Sequence, residues 1–175
     1  MPFLYINLHD KCYLKRLKHF ALSIKQKIYE FFKSKDQLCE VLCEEFCEQL
    51  LDIVKKIPHD LKPEEYLTQL FLKGVEFHAN YPHSEELFTL VCFGPERFKI
   101  PKAYVEMEKY PVEAVKNLNS PFIKTDEEIL NALDIIRCFK IGIATLMASE
   151  TSVKGKKRAY TMAENVIKVL SRGWK

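Results

Sequence analysis

Apolar residues recur at helical spacing along most of this chain, and no stretch sustains an alternation of apolar and polar positions. The clearest run lies between Asp36 and about Lys56. There Leu38, Val41, Leu42, Cys43, Phe46, Leu50, Ile53 and Val54 keep a helical period and predict one long helix with an apolar face. Before it, two short helices are expected at Tyr13–Ala21 and Ile24–Lys33. In the second, Ile28, Phe31 and Phe32 fall at i, i+3 and i+4. Pro58 closes the long helix, and Pro63 opens the next at a first-turn position that tolerates proline. That helix runs to about Asn80, and a short one follows from Ser84 to Phe93, broken by Gly94-Pro95. A helix from Pro101 to about Asn119 contains Pro111, which should kink or split it. Thr125 and Glu128 have capping-box spacing before a helix that runs to about Glu150, and the last helix spans about Lys157–Ser171, ended by Gly173. The fold class expected is all-α.

Composition narrows the classes. A chain of 175 residues, 47% apolar, is one domain or a small module fused to a larger one. It has no apolar run of about eighteen residues, so no membrane span is expected. The opening MPFLYINLHDKC lacks the charged start and long apolar core of a secretory signal, and the chain reads as cytoplasmic. Six cysteines include Cys39, Cys43 and Cys47 at i, i+4 and i+8, but no C-x-x-C. They are read as small buried apolar residues, and neither a metal nor a cofactor is expected.

Nothing in the chain assembles an enzyme. There is no Gly-rich phosphate loop and no G-x-S-x-G. Glu44-Glu45, Glu64-Glu65 and Glu85-Glu86 read as exposed pairs. The histidines are dispersed, and His78, His83 and Glu86 would meet only if the turn at Pro82 folds them together. The net charge of +3 is unevenly spread. Residues 1–35 carry eight Lys/Arg against two Asp/Glu, residues 36–113 eight against sixteen, and residues 114–175 eleven against six. A basic front on an acidic middle suits contact with a nucleic acid at that end.

The junction at Ile28–Leu38 concentrates this chemistry. Ser34 and Gln37 have the spacing of a capping box, Lys33 and Lys35 flank it, and Tyr29 lies just before. Lysine charge, a tyrosine hydroxyl and the positive end of a new helix together can hold a phosphate. The phrase IYEFFKSKDQL resembles the -IYxYFxSKexL- wording of the tetracycline-repressor (TetR) family of bacterial transcription regulators. The resemblance implies a small helix-turn-helix head at residues 1–35 and a helical effector-binding and dimerisation body at residues 36–175. It implies that Lys25, Gln26 and Lys27 reach base edges of double-stranded DNA, while Tyr29, Lys33 and Lys35 hold phosphates. This chain departs from the family at the turn, where Leu22 replaces a glycine, and only about twelve residues precede Tyr13 where the family has a full helix.

In the body, the resemblance makes the last two helices the homodimer surface, with Ile129, Leu133, Ile136, Ile143 and Leu146 on one helix and Tyr160, Ile167 and Leu170 on the other. An aromatic-rich middle suggests a cavity for a small apolar or aromatic effector, lined by Phe71, His78, Phe88, Tyr104, Met107 and Tyr110, with Glu106 or Glu108 as further polar contacts. The expected function is a repressor released from its operator by that effector. The alternative is a dimeric helical ligand-binding or adaptor protein whose head no longer reads DNA.

Overall fold

The structure is a computed structural model that describes residues 27–149 and 153–174. Tyr13–Ala21, the turn at Leu22, and Lys25 and Gln26 therefore lie outside the described residues. All regular structure among the described residues is helical, as the spacing predicts. The elements are α1 (residues 27–31), α2 (Lys35–Lys55), α3 (Pro63–Asn80), α4 (Ser84–Cys92), α5 (Lys102–Met107), α6 (Lys109–Asn117), α7 (Asp126–Ser149) and α8 (Val153–Gly173). The chain divides between Leu38 and Cys39 into two units.

Caps set several of the boundaries. At the start of α2, the Gln37 N–H donates to Ser34 Oγ at 3.1 Å, and the Lys33 N–H donates to Gln37 Oε1 at 2.6 Å. This is a capping box shifted by one residue, because the amide oxygen takes the N–H before the cap rather than that of Ser34 itself. At α7 the Glu128 N–H donates to Thr125 Oγ1 at 3.2 Å, and Glu128 Oε2 accepts from Thr125 and Lys124 at 2.8 Å each. Those backbone N–H groups hold the Glu128 carboxyl below its ordinary range. Thr125→Ala should lower stability by about 1 kcal/mol, read as a fall in thermal midpoint of about 3 °C.

The helix expected around Pro111 is split, but not at the proline. α5 ends at Met107 and α6 begins at Lys109. Pro111 has no N–H to donate to the carbonyl four residues back, that of Met107, and its ring would collide with it. The chain breaks directly after that carbonyl. At the far end of α6, Asn119 adopts φ 50°, a left-handed position that asparagine tolerates better than most residues.

In the second unit α3 is central. It packs against α6, α7 and α8, while α7 also meets α6 and α8. Leu67 and Val75 of α3, Val115 of α6 and Ile167 of α8 are at most 1% exposed, and Ile129, Ile136 and Ile143 of α7 complete the core around them. Outside the core, the Tyr160 hydroxyl of α8 donates to Glu76 of α3.

The expected dimer stripe needs correction here. Ile129, Leu133, Ile136, Ile143 and Ile167 are buried within the single chain, and Tyr160 and Leu170 are half-buried against its core. Only Leu146 of the named residues is exposed. The sequence stripe was the inward face, because a helix that covers a core must spend its densest apolar row there. A second apolar row faces outward: Ile135, Phe139 and Leu146 on α7, with Met162 and Val169 on α8.

Candidate functional site

Two places carry candidate chemistry, one in each unit. In the first unit, Lys27 and Tyr29 lie on α1, Lys33 on the connection and Lys35 at the first residue of α2. All four are exposed, as are Ile28 and Phe31, while Phe32 is half-buried. The capping box fixes the turn between α1 and α2, so the lysines are displayed from a defined backbone at a helix N-terminus.

The second place is a cavity of about 90 Å³ within the body. Leu50 and Val54 of α2, Leu67 and Phe71 of α3, Met107 of α5 and Ile136 of α7 give it an apolar wall. Pro111 also lines it, so the broken α5–α6 segment does leave a gap beside the proline. Its polar edge is Glu108, Arg137 and Lys140. Arg137 donates through Nη2 to Glu108 Oε2 at 3.3 Å and through Nη1 to Asp134 Oδ1 at 2.9 Å. Its guanidinium also lies 4.8 Å over the Phe93 ring. Beside it the Tyr104 phenol is pushed well up, by burial first and the Glu108 charge second.

Lys140 reaches this edge because residue 74 is glycine. A Cβ there would stand 3.0 Å from Lys140 Cδ, so the lysine stem lies directly across α3. Burial draws the Lys140 ammonium below its ordinary pKa, and Glu85, 4.0 Å from Nζ, opposes that shift. Arg137→Ala should cost about 1–2 kcal/mol of stability, since it strands the partly buried Glu108 carboxylate; chemical denaturation would measure it.

Of the effector contacts expected from sequence, Phe71 and Met107 line this cavity, as does Glu108. Tyr104 is half-buried and stands within 3.5 Å of Arg137. The structure does not bring the others to it. Phe88 is 4% exposed, a core residue of α4. Tyr110 stacks near His59, with ring centroids 6.4 Å apart. Glu106 pairs with Lys55 at 2.8 Å. His78 lines a separate cavity with Glu85. Ring count could not separate these residues, because aromatics at helical spacing serve cores and pockets alike.

Arg137 and Lys140 were missed. Their spacing of three on a helix that also carries a core stripe was the available signal. Cys92 was missed too. It shares hydrogen bonds with Cys43 and Cys47, which with the Arg137 charge hold its thiol well below the ordinary range, while burial opposes them. The same contacts, with burial, raise Cys47.

No helix among the described residues is long and apolar enough to cross a membrane. Comparison with family models, curated proteins and solved structures finds no match to this chain.

Proposed function

We propose that this chain is a DNA-binding transcriptional regulator, with a helical body that takes a small effector and pairs with a second copy. The observation that carries the reading is the capped α1–α2 junction, which displays Lys27, Tyr29, Lys33 and Lys35 together in a front segment with a net charge of +6. Cations at a helix N-terminus repel one another unless a polyanion lies between them, and a phosphate backbone is such a polyanion. The cavity supports the second part. Its apolar wall suits a small apolar or aromatic molecule, and its Arg137–Lys140 edge, already faced by Glu108, Asp134 and Glu85, offers that molecule a polar contact.

The outward row on α7 and α8 supports pairing. Leu146 and Met162 share a groove between these helices, and Gly142 between Phe139 and Leu146 has nothing within 4 Å of a built Cβ. A two-fold copy would cover the row in a four-helix arrangement. Repressor, operator release and homodimer are parts of this one proposal.

A gel shift with sheared bacterial genomic duplexes at low salt tests it. The parent should bind. Lys33→Ala with Lys35→Ala should weaken all duplexes on the order of fifty-fold and lower the salt slope by about two. Lys27→Ala should alter which sequences are preferred. Absence of binding by the parent sinks the DNA reading. Leu22, where the family has a turn glycine, then favours a dimeric ligand-binding or adaptor protein.

A further inference from the structure

Cys43 and Cys47 stand one turn apart on the buried face of α2, and both are 0% exposed. Cys92, the last residue of α4, is half-buried and adjoins the exposed Phe93 and Gly94. All three belong to the second unit, and all three are free. The fold carries Cys92 onto the α2 pair, where its thiol shares hydrogen bonds with both Cys43 and Cys47. Three thiols from two helices thus meet at one spot. The spacing along α2 pairs two of them, and only the packing of α4 adds the third.

Their placement separates two roles. Cys92 is the member that an oxidant reaches first, at the end of its helix and partly open to solvent. Its bonds to Cys43 and Cys47, with the Arg137 charge, hold its thiol below the ordinary range against burial, and the thiolate is the nucleophile of sulfur chemistry. Cys43 and Cys47 are both raised and remain thiols. They cannot bridge each other while α2 is intact. Cβ atoms four residues apart on a helix lie about 5–6 Å from each other, and a disulfide needs about 3.5–4.5 Å. Between α2 and α4 the thiols are already in contact, so a bond there asks for side-chain rotation.

We infer that Cys92 is a site of reversible oxidation by hydroperoxides, and that Cys43 or Cys47 resolves it into a disulfide joining α4 to α2. The Cys92 thiolate attacks one oxygen of the peroxide, and the O–O bond breaks. The other oxygen leaves with a solvent proton as water or an alcohol. The sulfur, two electrons poorer, becomes a sulfenic acid. An α2 thiol then attacks that sulfur, and its proton leaves with the departing hydroxide as water while the S–S bond forms. Because the resolving thiols are in contact beforehand, the sulfenic acid is captured ahead of further oxidation. A dithiol reverses the bond by exchange. The expectation that the cysteines serve as small buried apolar residues thus holds for Cys43 and Cys47 in the reduced chain, and Cys92 departs from it.

The test is a thiol map of the reduced chain after treatment with a few equivalents of hydrogen peroxide. Two of the six thiols should be lost first, and trypsin should then release residues 36–55 joined to residues 74–97 of the same chain. Cys92→Ser should abolish that link and slow oxidation of the α2 thiols by at least about tenfold. Cys43→Ala with Cys47→Ala should leave Cys92 as a sulfenic acid that dimedone captures. Where that double variant does not fold, the parent and Cys92→Ser decide the matter, since Cys92 lies outside the fully buried core. Absence of the link in the parent, α2 thiols that oxidise as fast in Cys92→Ser, or a link that persists without Cys43 and Cys47 would overturn the assignment. Neither DNA binding nor pairing of copies enters this readout.

Discussion

A chain carrying Phe139→Glu and Leu146→Glu should sediment as a monomer and lose roughly three orders of magnitude in affinity for a two-half-site duplex, with its thermal midpoint little changed. The reason lies in α7. Its inner row, Ile129, Ala132, Leu133, Ile136, Ile143 and Met147, is consumed by the core. Its outer row, Ile135, Phe139 and Leu146, is 43–51% exposed in the lone chain. Exposed apolar residues that share one helix face are what a partner surface uses. Charges placed on both copies of a two-fold interface repel across the axis and lie far from the core. On the proposed function, loss of pairing would leave each head to bind a half-site alone, without the effective concentration of the second head. A sedimentation pattern still dimeric after both substitutions would place the pairing surface elsewhere.

Two adjacent isoleucines supply the second large effect. Ile136→Ala should destabilise the chain by about 2–4 kcal/mol, and Ile135→Ala by less than about 0.5 kcal/mol, in paired urea titrations of single variants. Ile136 is 8% exposed and lines the cavity beside Leu67 and Phe71, so its truncation enlarges an existing void. Ile135 is 43% exposed and leaves nothing to collapse. Because the outer row pairs copies in our proposal, Ile135→Ala should weaken self-association instead. Equal destabilisation by the two would contradict the placement of α7.

The same pair shows how far one-dimensional reading reaches. Helical period marked one apolar stripe on α7, but period alone gives no direction. Which row turns inward depends on where α3 and α6 lie, and that is set by loops whose geometry the pattern does not contain. The assignment of Ile129, Leu133, Ile136, Ile143 and Ile167 to a partner surface failed for this reason, whereas Leu146 stayed outside.

The cavity was legible in part. Phe71, Met107 and the gap beside Pro111 followed from residue type and from what proline does to a helix. Arg137 and Lys140 did not, because a cation on a helix is usually solvated. Here Gly74 removes a side chain across the interface and lets the lysine stem lie down. Glu85, read as half of an exposed pair, is instead half-buried, since α4 begins at Ser84 and turns the next residue toward His78.

Features that depend on near neighbours were legible in the residues alone. Helix positions follow from apolar spacing, both capping boxes from two side chains three residues apart, and the displayed lysines from a short charged phrase. What joins separate helices came from their packing: which face of α7 is core, which polar groups edge the cavity, and that Glu85 is half-buried beside His78. Local backbone energetics fix the first kind, while the second arises from packing between helices, whose relative placement no window of residues encodes.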